Sequence, residues 1–233
     1  RGYPVPEPSG PTLAIDTSIT VAVGIARGDE VLDEITVDDT RAHVEQLMPS
    51  VNAAAARAGV ALSDLGRIVV GLGPGPFTGL RVGIVTAQTL AAATGADLHG
   101  ICTLDALAAQ AVTDPAAAAL ADGFVATIDA RRKELYWARY DATGRRIGDP
   151  MVGPPEQIPA LPVIGPGAAL YPELLADRSR GSVTALAPGL LAVRGPGLPA
   201  AGTEPLYLRR PDATVSTKRK STLLPPVRRR RDR

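Results

Sequence analysis

The chain has 233 residues, 45% hydrophobic and only 3% aromatic, with a formal net charge of +1; that is enough apolar material for one large or two small domains and excludes disorder throughout. The charge is unevenly placed: residues 211–233 carry eight basic and two acidic side chains, which leaves residues 1–210 with 17 basic and 22 acidic, a poor balance for a body that grips nucleic acid unaided. A single cysteine, Cys102, excludes a disulfide framework and a thiolate zinc site and suits a reducing compartment.

Residues 1–11, opening RGYPVPEPSG, hold no apolar core of the kind a signal peptide needs and read as an extended leader. The segment TLAIDTSITVAVGIARGDEVLDEITV alternates apolar and polar residues in three short runs broken at Asp16 to Ser18 and Arg27 to Glu30, the pattern of a three-stranded meander. A helical stripe follows over 41–58, through Val44, Leu47, Met48, Val51, Ala55 and Ala58, with Pro49 expected to kink or break it one turn in. RIVVGLG then predicts a buried strand, 79–94 a helix ending near Gly95, DLHGI a short strand and LDALAAQAV a third helix.

The second half starts in the same way. FVATIDARRKELYWARYDATGRRIGDP is a strand ending in Asp129, a turn, a strand with Tyr136 and Trp137, a turn at Gly144 and a third strand, and LPVIGPGAALYPELLAD predicts strand, glycine turn and helix. The repeat indicates an internal duplication. The expected fold class is α/β, and two meanders that each open an α/β unit resemble the actin, sugar-kinase and heat-shock ATPase fold, with subdomains at 12–112 and 122–211 and a disordered basic tail at 212–233. ALAPGLLAV, residues 185–193, is too short and broken to span a membrane, so a soluble, cytoplasmic protein is expected.

The stretch VVGLGPGPFTGLRVG invites comparison with phosphate loops. A Walker loop needs a lysine to reach the phosphates, and residues 1–132 contain none. A dinucleotide fingerprint needs glycine at the first, third and sixth positions, but from Gly71 the sixth residue is Pro76 and from Gly73 it is Thr78. The structural reading is a rigid corner built from Gly73, Pro74, Gly75, Thr78 and Gly79, with the Thr78 hydroxyl capping the first free amides of the helix.

In the ATPase fold an aspartate after the first strand orients magnesium-bound water. Here Asp16 is followed by Thr17 and Ser18 where glycine is usual, and Gly165 and Gly167 keep only a degenerate adenosine-type turn, so any nucleotide site is vestigial. His43 and His99 are far apart in sequence and form no HExxH pair, Ser18 lacks a nucleophile elbow, and Cys102 sits among apolar residues. No catalytic residue, metal site or cofactor is expected.

LAIDTS, HVEQLMP, VVGLGPGPFTGLRVGIVTAQTLA and GICTLDALA together resemble the TsaB (YeaZ) family, strongly over residues 12 to about 112 and more weakly beyond, although family members usually carry serine where this chain has Pro76. The resemblance implies a non-catalytic subunit of bacterial tRNA threonylcarbamoyladenosine synthesis. It would bind TsaD, the relative with a working nucleotide cleft and a metal-binding histidine pair, with the ATPase TsaE joining and tRNA engaged indirectly; an isolated homodimer is a further expectation. The small-residue helices suggest a docking surface at Leu47, Val51, Ala54, Arg81, Ala87 and Leu90.

Overall fold

The computed structural model describes residues 10–38, 43–180 and 183–209. The tail at 212–233, most of the leader and the first two residues of the expected 41–58 helix lie outside them, as does the side chain of His43. Strands β1 (Thr12–Asp16), β2 (Val21–Arg27) and β3 (Glu30–Val37) form the expected meander. Helix α1 (His43–Ala58), β4 (Arg67–Gly71), α2 (Phe77–Thr94), β5 (Asp97–Ile101) and α3 (Thr103–Thr113) complete the first half. The second half comprises β6 (Phe124–Asp129), β7 (Leu135–Tyr140), β8 (Arg146–Gly153), β9 (Val163–Ile164), α4 (Pro172–Leu175) and α5 (Pro188–Arg194).

Two sheets repeat one topology. The first has the order β3-β2-β1-β4-β5 and the second β8-β7-β6-β9. In each, the opening strand pairs antiparallel with the next, Ile15 facing Val23 and Ile128 facing Tyr136, and parallel with the strand that returns, Ala14 facing Val69 and Ala126 facing Ile164. The duplication read from the sequence is therefore carried by strand order and direction.

The sheets are layers in a helix–sheet–helix–sheet–helix stack. Helices α1 and α2 cover one face of the first sheet over Leu13, Ile15, Val23, Leu47, Val51, Ile68 and Leu80. Between the sheets, α3 and α5 share a core with Ala14, Val69, Phe124, Ala126, Tyr140 and Ile164. The outer face of the second sheet packs Val125, Leu135, Trp137 and Val163 against Leu175 of α4. Each fully buried Leu or Ile side chain contributes about 1.5–3 kcal/mol. Helix α5 lies directly on β1, β2 and β3, and it can do so because β2 carries Gly24, where a Cβ would stand 2.1 Å from the Pro188 carbonyl oxygen.

Three local expectations change. Helix α1 runs on through Pro49 without a break. Pro49 is exposed, while Leu47 and Val51 on either side are buried in the core that α1 forms with β2 and β3, so packing offsets the one lost backbone bond. Helix α2 begins at Phe77, with extended Pro76 at the cap and its carbonyl accepting from the Leu80 N–H. Thr78 is an exposed second helical residue and caps nothing, because the Phe77 ring, 4.8 Å from that of Tyr207, draws the helix start two residues back. The helix expected after Gly167 is only four residues of α4 flanked by 3-10 turns, since Tyr171 and Pro172 interrupt it.

Candidate functional site

Asp16 ends β1 and is 1% exposed, with Thr17 and Ser18 equally enclosed. Its Oδ1 accepts from the Ser18 backbone N–H at 2.7 Å, and its Oδ2 accepts from the Thr103 hydroxyl at 2.6 Å. Thr103 opens α3, and its Oγ1 also meets the Ser18 hydroxyl at 2.8 Å and the Gly73 N–H at 3.3 Å. Burial pushes the Asp16 carboxyl above its ordinary value, opposed by the bonds from Thr103 and Ser18. The carboxylate is thus consumed inside the protein.

The glycine-rich corner is the lid of this arrangement. A Cβ at Gly71 would fall 1.7 Å from Asp16 Oδ2, one at Gly75 would fall 2.7 Å from the Ser18 carbonyl oxygen, and one at Gly83 would fall 2.2 Å from Thr17 Oγ1. Thr17 Oγ1 donates to the Gly79 carbonyl at 2.8 Å, and the Thr103 N–H donates to the Gly73 carbonyl at 2.8 Å. Glycines that would admit phosphate in a nucleotide loop here admit the chain's own backbone and carboxylate. A metal–nucleotide pair does not fit this donor set, since both Asp16 oxygens are taken and the approach is filled. Among the described residues no group of three or more His, Cys, Asp and Glu could hold a metal ion.

The other expected site residues lie apart from Asp16. Gly165 and Gly167 pack on Thr127 of β6, where a Cβ would stand 2.4 and 3.0 Å from the nearest Thr127 atoms, and the Gly167 N–H donates to the Thr127 carbonyl. The proposed docking residues need correction: Leu47 is 1% exposed and Val51, Ala54 and Ala87 are 0%, all facing the first sheet. Leu90 is half-buried in the same core, and only Arg81 is exposed. The small-residue stripe serves the protein's own sheet because α1 and α2 must approach it and each other closely.

Sequence reasoning read α3 as a helix but passed over Thr103 and Asp105 in its first turn. While Thr103 ties its first turn to Asp16, Asp105, 4% exposed, accepts from the Tyr140 hydroxyl at 2.8 Å and from Arg146 Nη1 at 3.0 Å on both oxygens. One helical turn therefore joins the end of the first sheet to β7 and β8 of the second. Burial raises the Asp105 carboxyl, opposed by Tyr140 and Arg146, and it lifts the Tyr140 phenol well above its usual value. The Cys102 thiol is pushed up to about 11, by burial first and by the Asp105 charge second. The available signal was two polar residues at i and i+2 opening an otherwise apolar helix.

Two α/β halves of one strand order, each with an aspartate closing its first strand, define a protein of the actin-like class. The family model described as TsaD, tRNA N6-adenosine threonylcarbamoyltransferase, matches residues 30–169. An uncharacterized protein of Mycobacterium tuberculosis is 42% identical over 209 residues, spanning 86% of this chain and 92% of the relative. The tRNA threonylcarbamoyladenosine biosynthesis protein TsaB of Bacillus subtilis is 35% identical over 130 residues, 55% of this chain and 54% of its own length. The solved structure of YeaZ from Pseudomonas aeruginosa superposes with a TM-score of 0.66 at 31% identity, covering 85% of this chain and all of that one. The chain belongs to the TsaB/YeaZ family.

Proposed function

We propose that this chain is a non-catalytic subunit of tRNA threonylcarbamoyladenosine biosynthesis, which binds TsaD and supports threonylcarbamoyl transfer to the adenosine next to the anticodon. The observation that carries the reading is the sealed Asp16: the carboxylate closing the first strand of the first half, where an actin-like ATPase handles its metal and phosphates, is spent on Thr103 and Ser18. A subunit without that chemistry contributes surface, and family membership indicates what the surface is for. TsaE joins the assembly, tRNA is engaged through it, and the isolated chain forms a homodimer. The docking face is the solvent side of α1 and α2, with Asn52, Ala56, Arg81, Val85 and Thr89 exposed there. Among the described residues no helix is long and apolar enough to cross a membrane.

The test is reconstitution of tRNA modification from TsaD, TsaE and a source of threonylcarbamoyl-adenylate, with and without this chain. Modification that needs this chain supports the reading. ATP turnover by the chain alone, abolished in Asp16→Ala, would overturn it in favour of a free-standing ATPase.

A further inference from the structure

We propose that the β6–β7 hairpin, residues 130–134, is a contact for the phosphate backbone of RNA. The first observation is conformational. Arg131, Arg132 and Lys133 have φ of 60, 55 and 63°, the left-handed region that a residue with a Cβ adopts at a cost. The turn is closed by the Glu134 N–H donating to the Arg131 carbonyl, which puts Arg132 and Lys133 at the two central positions where Asn-Gly is the ordinary choice. The shape is imposed from around it. Asp129 Oδ1 accepts from the Arg131 N–H at 2.7 Å, the Ala130 N–H donates to the Glu134 carbonyl, and Arg209 donates to the Ala130 carbonyl while pairing with Glu134. Basic side chains thus stand where conformational ease alone would select glycine or asparagine, the kind of outlier that points to function.

The second observation is electrostatic. Arg131, Arg132, Lys133 and Arg209 gather against Asp129 and Glu134, a local basic excess on a net acidic body, and Lys133 is the sole lysine before residue 218. The three hairpin side chains are exposed together on the tip, a layout suited to successive phosphates more than to one enclosed anion.

The third is place. The hairpin leaves the carboxyl end of β6 beside its parallel neighbour β9, the edge at which open α/β sheets receive ligands. Half-exposed Tyr171 has its phenol raised by burial first and by the Asp129 charge second, and it offers a ring for a base beside the phosphates. In the first half this edge is filled by the glycine corner, whereas here the aspartate's side chain is 28% exposed.

The inference rests on the tRNA-modification reading and extends it to direct contact. The experiment measures binding of an end-labelled tRNA transcript to the full chain across a salt series, for wild type, Lys133→Gly and Lys133→Arg, with inorganic phosphate as a competitor. Lys133→Gly relieves the backbone while removing the charge, so it should raise the melting temperature, weaken binding several-fold and reduce the salt slope by about 0.7 to 0.9; Lys133→Arg should bind as wild type. The basic segment after residue 211 is common to all three, so differences report the hairpin. Competition only by millimolar phosphate indicates a polyanion contact, and displacement at micromolar phosphate overturns the RNA assignment in favour of a single-anion site. No binding by wild type, or Lys133→Gly binding with an unchanged slope, also overturns it. Either result leaves the reconstitution outcome, and with it the modification reading, to stand or fall separately.

Discussion

Asp16 and Asp129 hold the same place in the two halves, each at the carboxyl end of the first strand and each accepting a 2.7 Å bond from the backbone N–H two residues on. Asp16 is buried under the corner with Thr103 on its second oxygen, whereas the Asp129 side chain stays 28% exposed and faces Arg131 at 3.1 Å. One duplicated turn has thus become a lock in one half and an open charged tip in the other.

That lock predicts opposite outcomes for two substitutions. Asp16→Ala leaves the Ser18 N–H and the Thr103 hydroxyl without their buried acceptor and should cost about 1–3 kcal/mol in denaturant unfolding. Asp16→Asn keeps the shape and carries no charge at any pH, so its stability at pH 7 should match or exceed wild type. Because the folded carboxyl is raised above 3.8, its favourable contribution is complete at low pH and is lost as pH rises through the raised value. Wild type should therefore be closest to Asp16→Asn in acid and fall below it once pH passes that raised value.

Gly83→Ala would push a methyl group to 2.2 Å from Thr17 Oγ1. Overpacking of this kind typically costs about 1–3 kcal/mol. Adding Thr17→Ala removes the obstructing oxygen, and a double-mutant cycle should recover part of the loss as a favourable coupling. Simple additivity would show that α2 does not press on the Asp16 loop at Gly83.

Arg146→Met should destabilise by about 3 kcal/mol, the lower end for a broken buried pair, because Arg146 is 28% exposed while Asp105 is only 6% exposed. Without the guanidinium the ionised Asp105 is less favourable still. The deficit against wild type, measured in urea at several pH values, should shrink as pH falls and Asp105 takes up its proton.

Cys102 is fully buried, with its thiol raised to about 11. Alkylation by iodoacetamide at pH 8 should be negligible in the native protein and rapid in denaturant, since the thiolate is the nucleophile. Fast native labelling would mean that the seam between the sheets opens readily.

Ala54→Arg and Ala87→Arg place a guanidinium at fully buried positions and should give unfolded or insoluble chains, uninformative about docking. Val85 is 58% exposed on the outer side of α2, so Val85→Arg should change stability by no more than about 0.5 kcal/mol. On the docking face proposed above, it should still abolish co-purification with TsaD.

Much of the fold was legible in the sequence because hydrophobic period and turn residues are local signals. The alternation of β1 to β3, the apolar stripe of α1, the strand that ends at Gly71 and the second meander from Phe124 all follow from spacing alone. The start of α2 did not, because Tyr207, far along the chain, holds Phe77 and outweighs the capping preference of Thr78.

Sequence alone settled that α1 has an apolar face through Leu47 and Val51, that an aspartate closes the first strand of each half, and that the glycine corner lacks the lysine of a phosphate loop. It could not say what covers that face or meets that aspartate, since period and residue type carry no information about partners distant along the chain. Tertiary structure decided both: β2 and β3 lie beneath α1, and Thr103, on a helix four strands further along the chain than Asp16, places its hydroxyl against that carboxylate. The carboxylate is spent because a group sealed from water must find its donors within the fold, and here the fold supplies them.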